Sequence, residues 1–112
     1  MASRLIIDGV QPANDSLKEM FKAPNTNGVR ITAFTITNST STAAACEIYI
    51  TGDKGRAVPS VANKILQTEE LSQNETYCPH ELINQIIPAG GALYLKVSTG
   101  DTLSFRASGG DA

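Results

Sequence analysis

At 112 residues, 41 % hydrophobic and 18 % charged, the chain has the size and composition of one folded domain with a single core. A net charge of −2, with nine Lys and Arg scattered among eleven acids, excludes the clustered cationic surface that a nucleic-acid binder needs to neutralise phosphates. No run approaches the roughly 18 apolar residues of a membrane-spanning helix. The opening Met-Ala-Ser-Arg-Leu-Ile-Ile-Asp has too short an apolar stretch for a signal peptide. The expectation is a protein of a cytosol, or of something assembled there, with neither nucleic acid nor membrane as partner.

Nine serines and eleven threonines, most threonines inside extended-looking runs, favour strands over helices. In chain order, residues 1–12 hold the apolar nub Leu5-Ile6-Ile7 before Asp8-Gly9 and Pro12, and read either as an edge strand or as an arm that docks on another subunit. Residues 17–22 are a second candidate strand, and Asn25-Thr26-Asn27-Gly28 turns the chain into the strongest one, residues 29–38. There the alternation breaks. Val29, Ile31 and Ala33 share one parity and Phe34 and Ile36 the other, so either a bulge flips the register near Ala33 or both faces are covered.

After the loop Ser39-Thr40-Ser41-Thr42, residues 43–51 alternate cleanly. Ala44, Cys46, Ile48 and Ile50 should point inward, and Glu47, Tyr49 and Thr51 outward. Cys46 therefore reads as a small buried hydrophobe. Residues 52–56 form a loop whose Lys54 and Arg56 read first as a solvated tip and alternatively as a contact for an acidic partner. A strand through residues 65–68 is predicted to lead, by a hairpin turn at residues 72–75, into Thr76-Tyr77-Cys78. Pro79 stops that strand and opens one helical turn near residues 80–85, with Leu82, Ile83 and Ile86 packing inward. Leu93, Leu95 and Val97, then Leu103, Phe105 and Ala107, alternate on either side of a turn at residues 98–101, which predicts a hairpin with one apolar face. Residues 109–112 read as a tail with nothing to bury.

This amounts to about seven or eight short strands spaced roughly ten to twelve residues apart, with no crossover helices. The fold class expected is all-β: a single-domain antiparallel β-sandwich or jelly roll over residues 13–108, with one short helical turn.

No pattern carries catalytic, cofactor or metal chemistry. His80 is the one histidine, and its spacing from Cys78 is poor for a nucleophile–base pair. The glycines at 90–91 and 109–110 precede a strand and the chain end rather than a helix, so they form no phosphate loop. Glu69 and Glu70 are adjacent and on a strand would face opposite ways. Tyr49 and Tyr94 fall on outward parities, which admits a carbohydrate-binding role but suits burial under a neighbouring chain better.

Ala33 to Asn38 with the Ser/Thr/Ala residues that follow, Cys78-Pro79-His80-Glu81-Leu82-Ile83-Asn84-Gln85-Ile86-Ile87 leading through Ala89-Gly90-Gly91, and the closing Leu103-Ser104-Phe105-Arg106-Ala107-Ser108-Gly109 together resemble small structural proteins of tailed bacteriophages. The resemblance spans residues 17–110, with Gly91 standing where that pattern has an acid. It implies a non-enzymatic virion protein assembled in a bacterial cytoplasm, first of all a capsid decoration (cement) protein. Its partners would be the major capsid protein or other virion proteins, in a homo-oligomer or symmetric array. A neck, tail or fibre-base component is the alternative within the same class. Leu5, Ile6, Ile7, Tyr49, Arg56 and Tyr94 are the contact residues expected.

Overall fold

The computed structural model describes residues 3–13, 15–52, 59 and 63–112. Among the described residues nine strands follow one another: β1 Ser3–Val10, β2 Lys18–Lys22, β3 Val29–Asn38, β4 Cys46–Thr51, β5 Lys64–Gln67, β6 Glu75–Tyr77, β7 Ile86–Ile87, β8 Ala92–Val97 and β9 Leu103–Asp111. A 3-10 turn spans His80–Leu82. Two antiparallel sheets face each other, one ordered β1-β9-β3-β6 with β7 also on β3, the other β2-β8-β4-β5.

Five of the pairings are nested. β1 pairs with β9, β2 with β8, β3 with β6 and β7, and β4 with β5. The chain is thus one long hairpin whose tip is β4–β5, rolled up so that β9 also meets β3 and β8 also meets β4. Of the two architectures that the sequence allowed, this winding is the jelly roll.

The roll explains a misreading of the sequence. Strands β8 and β9 alternate as predicted, with Leu93, Leu95, Val97, Leu103 and Phe105 almost wholly buried. They are not a hairpin, because β8 lies in one sheet and β9 in the other. The turn between them, with Asp101 at φ 57, carries the chain across the sandwich. Likewise the turn at Asn74 (φ 66) passes from β5 in one sheet to β6 in the other. Alternation reports which face is buried and is silent on which neighbour lies alongside.

The parity flip in β3 is a bulge. From Ile31 to Ala33 β3 advances two residues while β9 advances one, from Gly109 to Ser108, so Val29 and Ile31 before it and Phe34 and Ile36 after it all reach the core. Against the same β9 residue, β1 does the same: Leu5 opposes Ser108 and Ile7 opposes Ala107. This second bulge turns the consecutive Ile6 and Ile7 both inward (5 % and 2 % exposed). A third irregularity, at Gly9 with φ 58, follows before Val10 meets Phe105.

Residues 109–111 are strand, not tail. Gly109 sits between Ile31 and Arg4, and a Cβ there would lie 1.9 Å from the Arg30 carbonyl oxygen. Only glycine permits that approach. Ile86, expected inside, is 42 % exposed, because Asn84 at φ 73 ends the helical phase and β7 turns Ile86 out beside Arg30. Leu82 is fully buried, and Ile83 packs against the core.

At the far end of β3, Asn38 is fully buried and every polar atom of its side chain is used. Its amide nitrogen donates to the carbonyls of Thr42 and Leu71, both at 2.8 Å. Its amide oxygen accepts from the Thr40 N–H (2.9 Å) and hydroxyl (2.8 Å). These bonds fold the Ser/Thr loop and hold it beside the Ala44–Leu71 bridge, which continues the pairing of β4 with β5.

These contacts set the expected cost of three substitutions. Asn38→Ala removes four hydrogen bonds and their buried donor, and should lower stability by about 2–4 kcal/mol in chemical denaturation. Gly109→Ala should cost more than about 2 kcal/mol through the backbone clash. Gly9→Ala, whose Cβ meets nothing nearer than the end of the Arg106 side chain at 3.9 Å, should cost only about 1 kcal/mol for its positive φ.

Candidate interaction surfaces

The outer face of the β2-β8-β4-β5 sheet is built on a cross-strand tyrosine pair. Tyr49 on β4 stands opposite Tyr94 on β8, flanked by the Glu47–Lys96 and Thr51–Ala92 pairs. The outward parity expected of both tyrosines holds, but each is only 9 % exposed, and they cluster with Ala92 and half-buried Leu17. Thr51, also expected outside, is 2 % exposed and exchanges hydrogen bonds with the Ala92 backbone. A partner on this face would meet the margin of the tyrosine pair rather than open aromatic platforms.

That margin is polar. The Tyr49 hydroxyl donates a short hydrogen bond to the Glu47 carboxylate, and the Tyr94 hydroxyl donates to Glu19 (3.4 Å). Lys64 Nζ lies 5.8 Å over the Tyr49 ring and 3.6 Å from Glu47. The bond to Glu47, then burial, pushes the Tyr49 hydroxyl up to about 12, and the same bond holds Glu47 below the usual carboxylate range. Burial, helped by the charge of Glu19, raises Tyr94.

The outer face of the other sheet carries mostly small side chains around the exposed Arg106, beside a depression of about 260 Å³ lined by Gly9, Thr35, Thr37 and Ser104. Thr37 pairs with Ser104 and Thr76, Thr35 with Arg106, and Ala33 with Ser108, which in turn pairs with Leu5. Arg106 reaches Asp8 at 3.3 Å across this surface. Leu5, at 49 %, and Ile86 are the two large apolar side chains left exposed among the described residues. Of the N-terminal contact residues expected from the sequence, Leu5 alone is presented. The bulge turns Ile6 and Ile7 into the protein's own core, which corrects their expected role as outward contacts. Arg56 lies outside the described residues.

A third surface was not legible in the sequence. Leu66, Leu71 and Tyr77 floor a groove of about 330 Å³ between β5 and β6, and Glu69, Glu70, Glu75 and Glu81 rim it. Glu69 and Glu70 line one groove because they lie beyond the end of β5, where strand alternation no longer separates them. Glu75 accepts from the Ser72 N–H (2.6 Å), and Glu81 from the Tyr77 hydroxyl (3.1 Å). Burial first, and the Glu81 bond second, raise Tyr77.

The residues screened for chemistry have plain environments. Cys46 is 2 % exposed, and burial pushes its thiol up to about 11, the opposite of what a nucleophile requires. Cys78 is exposed and not joined to it. The His80 side chain is 89 % exposed, with Nδ1 3.6 Å from Glu81. Among the described residues no three His, Cys, Asp or Glu side chains converge on a possible metal position.

The Tyr49–Glu47 pair predicts a pH signature. The lowered Glu47 pKa adds stability that is present above the ordinary carboxylate range and lost as pH falls through its folded value. The raised Tyr49 pKa adds stability that is present below the ordinary phenol value near 10 and lost as pH rises through about 12. Spectrophotometric titration of Glu47→Gln should show Tyr49 ionising nearer the ordinary value, with Tyr94 unmoved.

No family model and no curated protein matches the sequence. Among solved structures, a chain of the T13 viral particle of infectious bursal disease virus (IBDV) superposes with a TM-score of 0.55 at 13 % identity, covering 96 % of this chain and 29 % of that one. A chain from the structure of the IBDV Gx strain is 14 % identical, with 96 % and 30 % covered and a TM-score of 0.44. This chain therefore spans less than a third of the length of the IBDV chains it matches. Neither structure is from a tailed bacteriophage. At such identity the first match speaks for the fold: the jelly roll wound here is one also built into a viral particle.

Proposed function

We propose that this protein is a non-enzymatic structural component of a virion, and more specifically a decoration protein that lies across joints between the subunits of a capsid shell. The observation that carries the proposal is the nested jelly-roll winding, shared at fold level with a chain of the IBDV particle. Two features support it. The outer face of the β1-β9-β3-β6 sheet carries mostly small Thr, Ser and Ala side chains around the Arg106–Asp8 pair, and Leu5 and Ile86 stand exposed beside it. The nested strands also make a rigid block that loses little entropy on docking. Leu5 is the main apolar anchor, with the polar rim of Tyr49 and Tyr94 as a second contact and Arg56 as a further contact.

The test is to mix the purified protein with empty shells of the source particle. Saturable binding distributed over the shell, with a rise in the temperature at which shells open, is the expected result. Covering a leucine contributes about 1.5–3 kcal/mol, so Leu5→Asp should weaken binding roughly ten- to a hundredfold. Binding confined to a ring at the tail axis would replace decoration with a neck or tail role. Absence of binding to any virion component, with glycan binding lost on Tyr49→Ala, would overturn the proposal.

A further inference from the structure

The two lateral sides of the sandwich are chemically opposite, and both are bounded by terminal strands. On one side β5 ends its sheet and β6 ends the other, with the groove floored by Leu66, Leu71 and Tyr77 between them. Its rim carries Glu69, Glu70, Glu75 and Glu81, and among the described residues none of the four is within ion-pair distance of a lysine or arginine. On the other side β2 is the terminal strand of its sheet. Lys18 and Lys22 stand exposed at its two ends with Met20 and Phe21 half-buried between them, while the exposed Glu19 is taken up on the outer sheet face by the Tyr94 hydroxyl (3.4 Å), and neither lysine has an acidic ion-pair partner within the described residues.

We infer that the β5/β6 groove receives the β2 edge of a second copy of this chain. The pattern of one surface answers the other: an apolar centre flanked by lysines against an apolar floor rimmed by carboxylates. The unused backbone groups along β2 and β5 add the means to extend one sheet into the next molecule. Charges at the rim speed and orient the encounter, and apolar contact at the centre holds it. Because the two surfaces differ and lie on opposite sides, the contact is head-to-tail. It propagates into a closed ring or an extended array, not a two-fold dimer. This deepens the virion reading by naming one partner, the chain itself, and it leaves the outer face of the β1-β9-β3-β6 sheet free for a shell.

The experiment uses the purified chain alone, so its outcome is independent of shell binding. Light scattering should show association that grows with protein concentration at about 0.05 M salt and weakens at least tenfold at about 0.5 M, where screening is strong. Lys18→Glu/Lys22→Glu and Glu69→Lys/Glu70→Lys alter exposed side chains, and unchanged thermal melts will confirm that both variants fold. Each variant by itself should be monomeric, since its like-charged surfaces repel. An equimolar mixture of the two should associate again, because each reversed surface finds its opposite on the other chain. A wild-type chain that stays monomeric at low salt, variants that associate as the wild type does, or a mixture that stays monomeric would each overturn the inference. Shell binding by a chain that never self-associates would sink this inference and leave the proposed function standing.

Discussion

The approach of β9 to β3 is the constraint on which the rest of this structure depends. At Gly109 the two backbones come so close that no side chain fits between them, and one residue further on both β1 and β3 bulge against Ser108. Bulges add local twist, and two of them at one rung bend the sheet where it must wrap the core. The consequence is packing. Ile6 with Ile7 on β1, and Ile31 with Phe34 on β3, all reach the interior although their spacing is wrong for a regular strand. Phe34 then meets Phe105 edge to face, with ring centroids 6.5 Å apart.

From that bend the interaction surfaces follow. Turning Ile6 and Ile7 inward leaves Leu5 exposed on the edge, and the outer residues of β3 and β9 are mostly threonine, serine and alanine around the exposed Arg106. On the opposite sheet the tyrosine pair is covered by its own neighbours, so that face offers hydroxyls and charges rather than rings. The acidic groove arises where β5 stops and the chain crosses to β6. Asn38, Thr42 and Leu71 fasten the loop and the bridge that bound this end of the molecule.

Much of this was legible in advance, and the reasons are local. Clean alternation in β4 and β8 placed Cys46, Ile48, Leu93 and Leu95 in the core, and the broken parity of β3 left room for the bulge found there. Pro79 marked the 3-10 turn. The misses are equally physical. The glycines at 109–110 have no side chain to report burial, so a central strand resembled a tail. Ile86 followed helical spacing in sequence, but the positive φ of Asn84 cancelled that phase. The groove was hidden because its carboxylates come from separate segments, and only folding sets Glu69 and Glu70 beside Glu75 and Glu81.

The amino-acid sequence by itself determined that the chain is all strand, where most strands lie, and which side of each one is apolar, because burial of a face is written in side chains two residues apart. Tertiary structure alone decided that β8 and β9 part into different sheets, that the hairpin rolls up, and that acidic and basic edges fall on opposite sides. Backbone hydrogen bonds are the same for every strand, so a strand's sequence does not name its neighbour. The choice is made only when two apolar faces close on one core.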